Sequence, residues 1–274
     1  MRGNPEGLDA LLRQGVTAGP VTLELGQELK CDSSAGEDQR ASRDAFVLTE
    51  AWTLVHHVSE TLLRLYLAHC DQPPCPSLEV ARQRDAARFK GAVRARFVEA
   101  ERTPSETFYG SATGATLAGK ISADEFTAMC DSIESYMREF ARTFLDANSY
   151  NAVKHGFAVQ TGRSALQVDI EGVRLFDTRG PHIDYLEVVK RDDGRKRWAE
   201  TSQWIDLDRA FVLLFVAQRM IGVLWDTAKW RYLGEEWTRI WRLDQLRYED
   251  LKADDNIAGT ALRRPLAYFQ RRAA

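Results

Sequence analysis

The apolar pattern of this chain changes period once, and that change limits the fold more than any other feature. Between residues 44 and 156, apolar side chains recur at three- and four-residue steps, the spacing of one helix face. From residue 157 to residue 205 the period moves toward two, the spacing of strands, and after 205 the helical spacing returns. This pattern predicts a mainly α protein: a helical bundle over 44–156, a small antiparallel β insertion over 157–205, and C-terminal helices over 206–274 that pack back on the bundle. Residues 1–43 are weakly patterned and read as an extension or linker, with a short strand at Val21–Leu25 and a loop from Cys31 to Arg43.

The first strong helix covers about 44–69. Val47, Ala51, Leu54, Val58, Leu62 and Leu65 form its stripe, and Trp52, Val55, Leu63 and Tyr66 widen it to the surface of a central bundle helix. Pro73, Pro74 and Pro76 end it. Ser77 can cap a second helix, about 78–101, with Phe89, Val93 and Phe97 facing inward and Arg82, Arg84, Arg88, Lys90, Arg94 and Arg96 on its remaining surface. Those cations are either a solvated face or contacts for RNA phosphates. Thr103 to Gly119 reads as loop. Ser122 and Glu125 form a capping box opening a third helix, with Phe126, Met129, Ile133, Tyr136, Phe140 and Phe144 as its core stripe. Asn148 or Ser149 can cap a short fourth helix. Strands are expected at 157–160, 165–176 and 183–205, with Asp192-Asp193-Gly194 as a hairpin turn and His182 as a turn residue beside it. A buried helix at about 207–230, an amphipathic one at about 234–251 and a basic tail from Arg263 complete the chain.

The composition of the 274 residues is that of an ordinary globular protein, 44% hydrophobic and 28% charged, and the net charge of −3 gives no global attraction to nucleic acid. The most apolar segment, Ala210 to Trp225, carries Gln218 and Arg219 at its middle and falls short of the roughly 20 residues a membrane span needs. The N-terminus has no apolar leader, and the four cysteines form no disulfide framework, so a reducing cytoplasm is the expected location. His69, Cys70 and Cys75, with His56 and His57 nearby, do not have the spacing of a metal-ligand pair. No metal, no cofactor and no membrane contact are expected.

Chemistry is densest at Tyr150-Asn151-Ala152-Val153-Lys154-His155-Gly156, where a phenol, an amide, an ammonium and an imidazole fall within two helical turns. Steps of four and five put these groups on one side of a helix. Such a cluster can hold and protonate a phosphate-bearing ligand, or it can be a satisfied helix-to-strand corner with Gly156 at the helix end. A second polar line, Thr53, His57, Glu60 and Arg64, crosses the very apolar first helix at steps of four, three and four. Either Arg64 or His57 is positioned to reach the 150–156 corner; the alternative is a solvated face with a Glu60–Arg64 ion pair.

The arrangement Tyr150-Asn151, three residues, His155-Gly156 resembles the signature of the HEPN superfamily, in which active members carry Arg, usually then Asn, and His near the start of the last bundle helix. Asn151, His155 and Gly156 match in type and spacing, whereas Tyr150 stands where the family has Arg. The resemblance extends by pattern over about 44–156. It implies an all-α bundle, often a homodimer, with metal-independent ribonuclease activity or RNA binding in toxin–antitoxin or antiphage settings. His155 would then act as acid and base, Lys154 as phosphate partner and Asn151 as an orienting group, with Tyr150, Arg64, Glu60 and His57 as ligand-binding residues. A Tyr donates one hydrogen bond but carries no charge, so the family's cationic clamp would have to come from Lys154 or from the first helix. The same resemblance allows an inactive interaction module with a cognate protein partner.

Overall fold

The structure is a computed structural model describing residues 37–97, 104–110, 117, 120–155, 160–170, 173–190, 194–236 and 261–265; residues 37–41, 155, 163–170, 173–179 and 261–265 are described by backbone alone. Residues 1–47 and 48–274 form two compact units. In chain order the helices are α1 (Glu37–His69), α2 (Pro76–Arg82), α3 (Ala86–Phe97), α4 (Ser105–Tyr109), α5 (Ala123–Leu145) and α6 (Asn148–His155). Strands β1 (Gln160–Ile170), β2 (Val173–Lys190) and β3 (Lys196–Trp204) follow, then α7 (Leu207–Leu233) and a last strand, β4 (Ala261–Pro265). The fold is mainly helical with a small antiparallel sheet, and among the described residues no helix is long and apolar enough to cross a membrane.

One core joins five helices, α4 through Phe108 and Tyr109 and four others more extensively. Val55, Leu62, Leu63 and Tyr66 of α1 pack with Phe89 and Val93 of α3, Ile133, Tyr136 and Phe140 of α5, and Leu213, Val216, Met220 and Val223 of α7. The helix after the sheet thus shares the core of the helices before it. Arg209 of α7 donates to the buried Glu139 of α5 at 2.8 Å, adding a polar link across 70 residues of sequence. Short α4 is tied to α7 by Thr227, whose hydroxyl donates to the Phe108 carbonyl. Gly110 ends α4 with φ 69°, and a Cβ there would stand 2.5 Å from the Trp230 ring. A smaller core, Leu48, Ala152, Ile183, Tyr185 and Ile205, seats α6 on β2.

The sheet has the order β1-β2-β3-β4, antiparallel throughout. Tyr185 pairs with Thr201, and Lys190 with Lys196 across the hairpin, where Gly194 has φ 80°. At the edge, Arg263 and Arg264 pair with Thr201 and Glu200, and charged residues with a closing proline suit an edge strand.

The capping box that opens α5 is complete: the Glu125 amide donates to the Ser122 hydroxyl at 3.2 Å and the Ser122 amide to the Glu125 carboxylate at 2.8 Å. Ser122→Ala is expected to lower unfolding free energy by about 1 kcal/mol, read from denaturant titration.

Several expectations are corrected. Helix α1 begins at Glu37, inside the segment read as loop, because the Glu37–Ala41 stretch carries no helix breaker. The second helix is two: Pro76 rather than Ser77 opens α2, and the chain restarts at Asp85, whose carboxylate accepts from the Ala87 and Arg88 amides. The 103–119 loop contains α4. The single strand expected at 165–176 is the end of β1 and the start of β2, whereas the hairpin expected within 183–205 is present as the end of β2 paired with β3. His182 lies within β2 opposite Gly162, whose missing Cβ makes room for the imidazole, rather than in a turn. The start of the basic tail is β4. The Val21–Leu25 strand and nearly all of the 234–251 helix fall outside the described residues.

Candidate functional site at the crossing of α1 and α6

Helix α6 is eight residues long and faces two ways. Ser149, Tyr150 and Ala152 are buried; Asn151 and Lys154 are exposed. The reason is local: Ala152 enters the small core on β2, which turns the 150/154 side toward α1 and leaves Asn151 in water.

Tyr150, at 9% exposure, packs against two histidines of α1. The His56 ring stacks on it at 5.1 Å with a 19° interplanar angle, and His57 meets it edge-on at 5.2 Å. Trp52 closes the other side of His56 at 4.9 Å, nearly perpendicular, and its indole N–H donates to the Ser149 hydroxyl at 2.9 Å. The Tyr150 hydroxyl lies 3.5 Å from the ring nitrogens of His57, at the limit of hydrogen bonding. The Lys154 ammonium stands 5.8 Å from the Tyr150 ring centre, within cation–π range. An imidazole, a phenol and an ammonium therefore meet at the rim of the crossing, with His57 and Lys154 open to solvent.

Beneath the rim, His56 is 3% exposed and both of its ring nitrogens lack a hydrogen-bond partner. Burial, and then the charge of His57, push its pKa down to about 4, so the ring is neutral at physiological pH. The Thr53 hydroxyl, one turn earlier, is also buried without a partner. Buried polar atoms without partners are uncommon in folded proteins and favour functional positions.

The structure brings together some of the expected residues and separates others. His57 meets Tyr150, and Lys154 joins them. Asn151 presents its side chain to solvent one position along. The imidazole of His155 falls outside the described side chains, so the expected acid–base group has a place at the end of α6 and no described contacts. Arg64 turns the other way: its Nε and Nη2 hold Glu60 at 2.9 and 2.7 Å, its Nη1 donates to the Gln83 carbonyl, and its guanidinium lies 4.1 Å from the Phe89 ring centre. Of the two α1 candidates for the corner, His57 is the one in contact, and Arg64 with Glu60 braces α1 against α2 and α3.

The enclosing residues Trp52, His56 and Ser149 were not singled out in the sequence reading as site residues. A tryptophan and a histidine at a four-residue step in an apolar helix, followed at once by a second histidine, were the available signal. Among the described residues no three His, Cys, Asp or Glu side chains are grouped to hold a metal ion. Comparison with protein-family models, with curated proteins and with solved structures finds no match for the chain.

Proposed function

We propose that this chain is a HEPN-like RNA-binding protein that cleaves RNA without a metal, of the toxin or antiphage-defence type, and that it works as a homodimer. The observation that carries this reading is the meeting of His57, Tyr150 and Lys154 at a solvent-open rim, beside the exposed Asn151. An ammonium and a phenol hydroxyl offer charge and a hydrogen bond to one phosphate group. An imidazole at the same rim is suited to move the proton of a ribose 2′-hydroxyl as that oxygen attacks the adjacent phosphorus. The bond formed is the cyclic phosphate ester, the bond broken is that to the 5′-oxygen, and the leaving oxygen takes up a proton from the acid partner, the role assigned to His155. Where the HEPN pattern has a cationic clamp, this chain offers Lys154, a point charge on a flexible stem.

The test is incubation of the chain with total RNA under chelator, beside His57→Ala and His155→Ala. Fragments ending in 2′,3′-cyclic phosphate from the native chain, lost in both variants, are expected. A second reading rests on the burial of Tyr150 between His56 and α6's own neighbours: the same fold as an inactive interaction module with a cognate protein partner. RNA left intact by all three proteins would replace the first reading with the second.

A further inference from the structure

Helix α3 carries Arg88, Lys90, Arg94 and Arg96 and no carboxylate in twelve residues, and Arg82 and Arg84 precede it. The one acid between them, Asp85, is spent on the Ala87 and Arg88 amides. Lys90 and Arg94 are four apart, an arrangement of like charges that weakens a helix. Arg84, Arg88 and Arg94 are exposed, and their side chains have no hydrogen bond or ion pair among the described residues. Arg82, Lys90 and Arg96 have partners in Glu79, Phe144 and Tyr66, so the uncompensated charge is that of Arg84, Arg88 and Arg94, in a chain whose net charge is −3.

Beside the charged face lies a groove of about 950 Å³ between α3, α2 and the C-terminal end of α1. Phe89, Ala92 and Leu67 give it an apolar floor, and Arg82, Arg88 and Arg96 stand around it with Asp71 and Glu79, the second of which is paired with Arg82. Arg96 is held in place by Tyr66, with its Nε 3.4 Å from the hydroxyl and its guanidinium 5.7 Å from the ring centre. Gln83, on the wall, has a buried side-chain oxygen with no partner. Along α1 this groove, at Leu67, is nearly three helical turns, about 15 Å, from His57, and Arg64 lies between, bonded to Gln83.

We propose that this groove and the outer face of α3 dock single-stranded RNA: Arg84, Arg88 and Arg94 take its phosphates, and the floor with Arg96 and Gln83 takes a base. The proposal rests on the RNA reading of the α1–α6 rim and adds where the strand is held. Cations without carboxylate partners suit a phosphodiester chain. A flat guanidinium beside an apolar floor, with one acceptor in the wall, suits a nucleobase, since bases stack on arginine planes and donate from their edges. A polyanionic peptide would use the cations but leave the floor and the Gln83 acceptor unfilled.

The experiment measures binding of the full chain to a 2′-O-methyl single-stranded RNA, which cannot be cleaved through its 2′-oxygen, at several salt concentrations. The triple variant Arg84→Gln/Arg88→Gln/Arg94→Gln changes only exposed side chains. It is expected to bind at least tenfold more weakly at low salt and to lower the slope of log K against log salt by about 2, at roughly 0.7 per single-strand phosphate lost. A native chain that binds with a slope and affinity the triple variant keeps would overturn the docking face and leave the rim's function standing. No RNA binding by the native chain would end both. Polyglutamate of equal charge competing as well as RNA would reassign the face to acidic peptides and overturn the proposal.

Discussion

Lowering the pH from 7 to 4 is expected to remove about 3 kcal/mol of folding free energy through a single imidazole, that of His56. Its pKa in the fold is about 4, against an ordinary 6.5, because burial penalises the charged ring and His57 adds to that penalty. The sign follows from proton counting. Between 6.5 and about 4 the unfolded chain binds a proton that the folded chain does not, so unfolding is favoured as pH falls, by up to ~1.4 kcal/mol for each unit. The loss begins near 6.5 and levels off below 4. Carboxylates titrate in part of this window, so the measurement is a difference: denaturant unfolding of the native chain and of His56→Phe from pH 7 to pH 4. Phenylalanine keeps a ring against Trp52 and Tyr150 and removes both unpartnered nitrogens. The variant is expected to lack the His56 component of the slope. Parallel pH profiles for the two proteins would show that the ring is not held neutral by the fold.

Glu139→Ala is expected to cost about 3–5 kcal/mol, the range for breaking a buried ion pair by removing one partner. Glu139 is 6% exposed and holds Arg209 of α7 at 2.8 Å and Arg142 of its own helix at 2.6 Å. Arg142 reaches solvent and can rehydrate. Arg209 cannot do so as easily, since its side chain is 11% exposed beside the N-terminus of α7. The double variant Glu139→Leu/Arg209→Met removes both charges and is expected to recover most of the loss, because apolar residues of similar size often replace a buried pair at no net cost. A single variant within 1 kcal/mol of the native chain would show that the pair does not join α5 to α7 energetically.

The two predictions separate two kinds of buried polar group. Glu139 is satisfied and links elements far apart in sequence. His56 is unsatisfied and adjoins the rim that carries the proposed chemistry. If His56→Phe proves more stable at neutral pH and less active on RNA, the open nitrogens serve the site at the expense of the fold.

Helices with long apolar stripes were legible from spacing alone, and so was the complete capping box at Ser122, because helical periodicity and caps depend on residues three and four apart. The hairpin was legible for the same reason: Asp192-Asp193-Gly194 is a local turn signal, and β2 and β3 pair antiparallel on either side of it, while the register itself comes from the structure. What needed the tertiary structure was every contact between distant segments. Spacing alone put His57 and Arg64 on one face of α1, and both were candidates for the Tyr150 corner. Packing decided between them, since Phe89 and the Gln83 carbonyl captured Arg64 while Tyr150 came down beside His57. The same holds for Ala261–Pro265, whose charged residues carry no strand signal of their own and form one only because the edge of β3 supplies its hydrogen-bond partners. Local propensity is written in neighbouring residues; the choice among equivalent surface positions belongs to whichever element the chain later packs against them.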